Sequence, residues 1–435
     1  MKISIVGSGY VGLVSGACFA QLGNKVICVD NNKKKVAALK KGHIPIYEPG
    51  LSELIKSNVL KKRLHFTDSI REGVENSEII FIAVGTPPSE NGEADLTGIE
   101  NVAANIAKNM KSYRLIVEKS TVPVETGEWV KHTIKSYIKK DVKFDVASNP
   151  EFLREGQAID DFMHPDRIVV GLESQTARQK MELLYKPLNA PIVFTDIKSA
   201  ELIKHASNSF LATKISFINA VSCICDKVGA DVTEVARGMG LDKRIGPGFL
   251  SAGIGYGGSC FPKDLEAFVK ISEKLGYNFK LLKAVKEINE NQKDEFVQKI
   301  KNSLWIIKDK NIGVLGISFK PDTDDIRSAP AIDIIKSLEA EGAKVKVYDP
   351  QAMDKTKGIF KTVNYCKDPY AVCKGAECLL ILTEWDEFKE LDFLKIKKLM
   401  RRPIIIDGRN IYDSRRLEKI GFTYISVGRG GLLRK

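Results

Sequence analysis

Histidine and tryptophan are scarce in this chain, at five and three in 435 residues. The histidines form no His-Glu-x-x-His pair and no Ser-His-Asp order, and no Walker-type phosphate loop is present. A metal centre, triad hydrolysis and P-loop chemistry are therefore not expected. Eight cysteines are too few for a disulfide framework in so long a chain, and none has zinc-ligand spacing. Cys223 and Cys225 lie two apart in a helical stretch and point to different faces, while Cys366, Cys373 and Cys378 lack a histidine partner pattern. Long apolar runs are missing too. One long stretch without charge is 245–262, 18 residues containing six glycines and two prolines. Such a stretch is an uncharged loop and no lipid-spanning helix. The N-terminus opens on a strand-like KISIVG instead of a basic leader, so a cytoplasmic protein without a membrane partner is expected.

Basic residues exceed acidic ones by 67 − 55 = +12, yet they are scattered, with only short runs such as those at 33–35 and 61–63. No basic stripe interleaves with aromatics, so anionic small molecules suit the charge and nucleic acid does not. Apolar residues make up 43% and charged residues 28%, the proportions of a globular chain, and the length implies about three domains.

The strand-like KISIVG and KVICVD flank the helical pattern of GSGYVGLVSGACFAQLG, and EIIFIAVGTPP, RLIVEKSTVP, FDVASNPEF, RIVVG and PIVFTD follow. Strands alternating with helices imply parallel βαβ units and a doubly wound sheet over 1–196. Residues 197–303 read as helix, interrupted by the glycine-rich loop. Alternation resumes at NIGVLGISFK, then KVKVYDP, ECLLILTEW and PIIIDGRN, giving a smaller α/β domain over 304–435. A weak internal repeat relates the two ends: Gly7 to Asp30 spans 23 positions and Gly316 to Asp349 spans 33, the extra length being occupied by FKPDTDDIRSAP.

Gly7, Gly9 and Gly12 form a GxGxxG that follows a strand and opens a helix, and Asp30 ends the next strand. Glycines there admit a pyrophosphate onto the helix N-terminus, and the carboxylate suits a ribose hydroxyl; this is an NAD fingerprint. An acidic residue at that point disfavours the 2′-phosphate of NADP. The repeat at Gly316 lacks the fingerprint, so a different ligand is expected there, with Lys320, Arg327 and Arg409 near strand ends. Cys260, in GYGGSCFPKDL, precedes Pro262 and a predicted helix. The helix N-terminus and nearby Lys263 would favour thiolate, and Asp264 lies one turn on, where it can act as a base or orient water. Lys204 and Asn208 share one face of a largely apolar helix.

Together these features closely resemble the nucleotide-sugar 6-dehydrogenases of the UDP-glucose/GDP-mannose dehydrogenase family. The likeness runs through GSGYVG, VGTP, STVP, NPEFLREG, HPDRIVVG, KHASNSFLA, GYGGSCFPKD, GISFKPDTDDIR and DGRN, in order, and FLSAGIGYGG with DFMHPDRIVVG favours the UDP-glucose branch. The resemblance implies a Rossmann-type NAD domain, a central helical dimerisation domain carrying the cysteine, and a C-terminal Rossmann-like domain for the UDP-sugar. It implies NAD contacts from Val11, Asp30, Lys35, Thr86, Thr121, Glu155, Lys263 and Arg327. Sugar-nucleotide contacts would come from Glu151, Phe152, Leu153, Arg154, Glu155, Lys204, Asn208, Phe249, Leu250, Ser251, Ala252, Gly253, Gly257, Lys320 and Arg409. Arg244 would reach the site of a partner subunit in a homodimer or higher homo-oligomer. Ser251 stands where some relatives carry Lys, so one phosphate contact is weaker or supplied elsewhere.

For the reaction, the resemblance implies oxidation of UDP-glucose to UDP-glucuronate with two NAD per sugar. Cys260 would act as the nucleophile, Lys204 and Asn208 as oxyanion donors, Asp264 as proton carrier, and Thr121 with Glu151 as holders of a water. The sequence leaves the first-step base open. A related enzyme acting on GDP-mannose or a UDP-N-acetylhexosamine is the rival within the family. A silent sensor of sugar nucleotides would be expected to lose Cys260 or Lys204, and both are present.

Overall fold

A computed structural model describes residues 1–87, 89, 93–139 and 142–430. It contains two compact units, Met1–Ser207 with Glu266–Tyr277, and Asn208–Leu265 with Asn278–Lys435.

The first unit is built on eight strands: β1 (Lys2–Val6), β2 (Lys25–Val29), β3 (Leu64–Thr67), β4 (Ile79–Ile82), β5 (Arg114–Glu118), β6 (Phe144–Ser148), β7 (Ile168–Gly171) and β8 (Ile192–Thr195). Their order is β3-β2-β1-β4-β5-β6-β7-β8. The chain reverses direction of travel between β1 and β4, which is where an open α/β sheet presents its ligand crevice. Both faces are covered. Ile3, Ile5, Phe19 and Phe81 pack on one side, and Val6, Ile80, Ile82 and Ile116 on the other. This two-sided burial is why these strands read as unbroken apolar runs.

The sheet is not wholly parallel, as the βαβ reading expected. β6 pairs antiparallel with β7, through Ser148 opposite Gly171, while β7 and β8 run parallel to each other. The only helix between β6 and β7 is the six-residue Ala158–Met163. It replaces a full crossover helix, and the chain re-enters the sheet from the opposite end. β3 escaped the sequence reading because LHFT carries a histidine and is short.

The second unit holds β9 (Asn311–Leu315), β10 (Lys344–Tyr348), β11 (Asn364–Tyr365), β12 (Cys378–Ile381), β13 (Ile404–Asp407) and β14 (Thr423–Ser426), ordered β11-β10-β9-β12-β13-β14. This order repeats that of the first six strands of the first sheet, so the weak repeat in sequence is a repeat in topology. β11 and β14 were missed because the first has two residues and the second is masked by Thr and Ser. The long helix is Ile197–Val228, followed by Val232–Gly240; Gly229, at φ 76°, ends the first. Helices Phe261–Lys274 and Lys280–Leu304 are likewise separated at Gly276, φ 77°.

Helix Ile197–Val228 has an 18-residue window with mean hydropathy 1.2, apolar enough by length and composition to cross a membrane. Yet Ser216, Asn219 and Ser222 are fully buried within that stretch, with the Ser216 hydroxyl donating to the Val285 carbonyl. Those contacts are those of a protein core helix. All eight cysteines are free thiols.

Candidate active site

The cradle after β1 tests whether this chain fits a dinucleotide. Gly7 has φ 107°, and a Cβ there would lie 2.4 Å from the Ala83 carbonyl oxygen. At Gly12 a Cβ would lie 1.8 Å from the Gly7 carbonyl oxygen, so only glycine lets the helix Tyr10–Gln21 start so close to the strand. Gly9 differs, since a Cβ there would meet nothing within 4 Å. Its glycine keeps space open beside an uncapped helix N-terminus, the arrangement a pyrophosphate needs. Asp30 is buried; its Oδ2 accepts from the Ser8 N–H at 3.0 Å and from Lys35 Nζ at 2.7 Å, and its Oδ1 accepts from the Asn32 N–H. Carboxylate lone pairs remain for ribose hydroxyls. The residues present fit NAD. Thr86, also buried, donates to the Thr121 carbonyl at 2.9 Å, placing both at the ends of β4 and β5.

In the same unit, Lys204 Nζ lies 3.0 Å from Glu151 Oε1, and both residues are buried. Glu151 Oε2 accepts from the Leu153 N–H, which curls the NPEFLREG loop around the carboxylate. Phe152 lies beneath Arg167 and Lys204, 3.7 and 5.3 Å from its ring centre. Arg154 is exposed and held by Asp161, whereas Glu155 is buried. Sequence reasoning passed over Lys119, whose ammonium donates to the Asn149 carbonyl and side chain. Burial pushes Lys119 down to about 8, with Glu151 opposing the shift and Lys204 adding to it.

In the second unit Cys260 stands immediately before helix Phe261–Lys274, and its carbonyl accepts from the Asp264 N–H. The expected N-terminal placement is therefore met. Its Sγ is 3.5 Å from the Ser259 hydroxyl. Asp264 is 1% exposed and gripped twice: Asn208 Nδ2 donates to Oδ2 at 2.6 Å, and Lys263 Nζ lies 2.8 Å from Oδ1. A carboxylate one turn from a cysteine, fixed by an amide and an ammonium, is equipped to hold or move a proton near sulfur.

The loop before Cys260 is held through its backbone. Asn219 accepts from the Gly253 N–H, Gln292 donates to the Gly253 carbonyl, and Asn289 pairs with both backbone groups of Tyr256. At Gly257 a Cβ would sit 2.2 Å from the Ser328 carbonyl oxygen, so the loop runs tight against the FKPDTDDIRSAP segment. Leu250, Ala252 and Gly253 are buried and Ser251 is exposed, while Phe249 has φ 64° and its ring lies 6.1 Å from that of Phe261, tilted by 58°. Arg409 ties three loop carbonyls together, donating to Leu382, Gly255 and Phe319. Arg327 forks onto Asp325, Lys320 lies over Phe319, and Arg244 is exposed beside Asp242. The glycine turn after β9 is closed. Asp349, fully buried, accepts from the Ile317 and Ser318 N–H groups and from the Trp385 indole, so the counterpart of Asp30 is spent on its own turn.

Sequence models of the UDP-glucose/GDP-mannose dehydrogenase family match the chain along its length: the NAD binding domain at 1–189, the central domain at 198–291 and the UDP binding domain at 313–414. The chain is 51% identical to the UDP-glucose 6-dehydrogenase TuaD of Bacillus subtilis over 98% of this chain and 93% of that one. It is 47% identical to the UDP-glucose 6-dehydrogenase of Rhizobium meliloti over 99% and 100%. The solved UDP-glucose dehydrogenase of Pyrobaculum islandicum superposes with a TM-score of 0.91 at 39% identity, covering 99% of this chain and 97% of that one. With an NAD binding domain on a Rossmann-type sheet and relatives of this identity over its whole length, the chain belongs to the UDP-glucose/GDP-mannose dehydrogenase family.

Proposed function

We propose that this enzyme oxidises UDP-glucose at C6 to UDP-glucuronate, a four-electron reaction that consumes two NAD per sugar. The observation that carries the reading is the placement of Cys260 at a helix start, one turn from an Asp264 fixed by Asn208 and Lys263. An alcohol dehydrogenase needs no nucleophile. An aldehyde does, because it must gain a substituent before it can lose a second hydride.

The C6 alcohol loses a proton to a base and a hydride, giving the aldehyde. Bound NAD supplies the hydride acceptor at each oxidation. The Cys260 thiolate adds to the aldehyde carbon, and Lys204 and Asn208 donate to the oxyanion that forms. The thiohemiacetal loses its hydroxyl proton and a second hydride, leaving a thioester on Cys260. Asp264 takes a proton from the attacking water, the C–S bond breaks, and the thiol is regenerated beside the carboxylate product. Thr121 and Glu151 hold the water. Residues 1–196 carry most of the NAD contacts, joined by Lys263 and Arg327, while 197–303 carry the nucleophile and 304–435 the contacts to UDP through Lys320 and Arg409.

The active form is a homodimer or higher homo-oligomer joined through 197–303. Phe210, Phe217 and Ile224 are 65%, 53% and 60% exposed and recur every seven residues along the long helix, an apolar stripe of the kind a second helix covers. Arg244 reaches the partner's substrate, and its 90% side-chain exposure accords with that role. Phe217→Glu tests the stripe: sedimentation should show a smaller species, and an unchanged one contradicts it. The enzyme works in the cytoplasm on anionic small molecules, without nucleic-acid or membrane partners. NADH release measured against UDP-glucose, GDP-mannose and UDP-N-acetylhexosamines tests the substrate; a preference for another sugar nucleotide overturns the UDP-glucose reading.

A further inference from the structure

Two buried side chains on the long helix perform no step in that chemistry, yet both grip the segment that carries Thr121. Glu201 is 2% exposed. Its Oε2 accepts from the Glu125 N–H at 2.7 Å and its Oε1 from the Gly127 N–H at 2.8 Å. His205, one turn further and 1% exposed, has Nε2 at 2.7 Å from the Val122 carbonyl oxygen, so this nitrogen carries the proton. Lys204 lies between them in sequence, facing Glu151.

We propose that Glu201 and His205 are positioning residues that fix the Thr121 segment to the helix bearing Lys204, so that the water-holding group and the oxyanion donor keep one register. The proposal rests on the roles given above to Thr121 and Lys204.

The local geometry shows why such a clamp is needed. Glu125 adopts φ 81°, a left-handed conformation that costs a side-chain-bearing residue about 1 kcal/mol, and it provides no side-chain cap for helix Thr126–Tyr137. Glu201 fills that role from a distance, placing a carboxylate on two unpaired N–H groups at the positive end of the helix. The approach is close: a Cβ at Gly127 would lie 2.5 Å from Ile197 Cγ2 and 3.4 Å from Glu201 Oε1. At the other end of the segment, Ser120 donates through its hydroxyl to the Val84 carbonyl and through its N–H to Glu118. Thr121 is thus held on one side by the sheet and on the other by the two helix residues.

The test uses Glu201→Gln, His205→Leu and His205→Gln, each alone, and Glu201→Gln with Thr121→Ala. Hydrogen exchange of the apoenzyme reads the clamp without any turnover. At pH 8, where Glu201 is mostly ionised, the Glu125 and Gly127 amides should exchange at least about tenfold faster in Glu201→Gln, the scale of hydrogen bonds to a charged acceptor. Turnover reads the consequence: kcat falls about tenfold in Glu201→Gln and His205→Leu, while KM for UDP-glucose and NAD stays within about twofold. His205→Gln, which keeps a donor, should recover most of the loss. In the Thr121→Ala background Glu201→Gln should lower kcat little further, because its effect passes through Thr121. Unchanged exchange, equal loss in His205→Gln and His205→Leu, or full additivity with Thr121→Ala overturns the proposal. Should Glu201→Gln not fold, the two His205 variants decide it. A wild-type enzyme that is silent on UDP-glucose refutes the functional reading instead, and exchange still reports on the clamp.

Discussion

Lys204 Nζ and Glu151 Oε1 lie 3.0 Å apart with side chains only 4% and 5% exposed. A pair so deep is expensive to break from one side, because the remaining charge has no water to turn to; removing one partner costs about 3–5 kcal/mol. Glu151→Ala should therefore lower Tm by several degrees. Lys204→Met with Glu151→Leu removes both charges and should regain stability without regaining activity. Activity loss is set by the oxyanion donor, about 3 kcal/mol or roughly a hundredfold in kcat. If the double variant turns over at the wild-type rate, Lys204 has no part in the chemistry. Thermal melts and initial rates on the same preparations decide this.

Gly9 and Gly12 should respond in opposite ways to one added methyl group. Gly9→Ala finds open space and an ordinary φ of −77°, so it should melt as wild type does. It should lose at least about tenfold in NAD affinity, because the space it fills is that of the pyrophosphate. Gly12→Ala drives Cβ to 1.8 Å from a carbonyl oxygen and should destabilise the first unit. Calorimetric titration of NAD with parallel melts separates the two. Undiminished NAD binding by Gly9→Ala would displace the cofactor from this turn.

Asp30 is expected to set the choice of cofactor: its carboxylate, paired with Lys35 at 2.7 Å, would repel a 2′-phosphate. Asp30→Ala removes the repulsion and frees an ammonium, so kcat/KM for NADP relative to NAD should rise at least about tenfold. A ratio unchanged from wild type contradicts this role.

Two buried carboxyls give stability a pH dependence. Burial raises Glu118 to about 8 and Glu201 to about 7, the latter despite its N–H partners. Each folded carboxyl holds its proton to higher pH than in the unfolded chain, so the folded state binds more protons between about 4.5 and 8. Stability from these groups is present below that window and declines as pH rises through it. Tm should fall from pH 5 to pH 8. Glu118→Gln, whose Oε2 acceptor has no hydrogen-bond partner among the described residues, should flatten the decline by about 2 °C. A flat wild-type profile contradicts the burial argument.

What the sequence showed plainly was whatever depended on neighbours along the chain. The glycine turn, Asp30 at the end of β2, the helix start at Cys260 and Asp264 one turn on are all local patterns. The repeat between KISIVG…KVICVD and NIGVLG…KVKVYD proved to be a shared strand order. Less visible were bonds that span long stretches. Glu201 reaches N–H groups 76 and 74 positions away, and His205 a carbonyl 83 away. Asn289 and Gln292 sit in a polar helical stretch where amides carry no distinguishing signal, yet they fasten the loop before Cys260. The antiparallel entry of β7 was hidden for a similar reason: RIVVG reads the same in either direction, and only the pairing partner fixes its sense.

The central claim is that one sugar is oxidised twice, the second time as a covalent adduct of Cys260. The most direct measurement is the number of NADH formed per UDP-glucose consumed, with Cys260→Ala run beside the wild type. The account predicts two NADH and one UDP-glucuronate per sugar, and a Cys260→Ala enzyme that still binds UDP-glucose but forms glucuronate several orders of magnitude more slowly, by about 10³-fold or more. One NADH per sugar, or wild-type glucuronate output from Cys260→Ala, would contradict it.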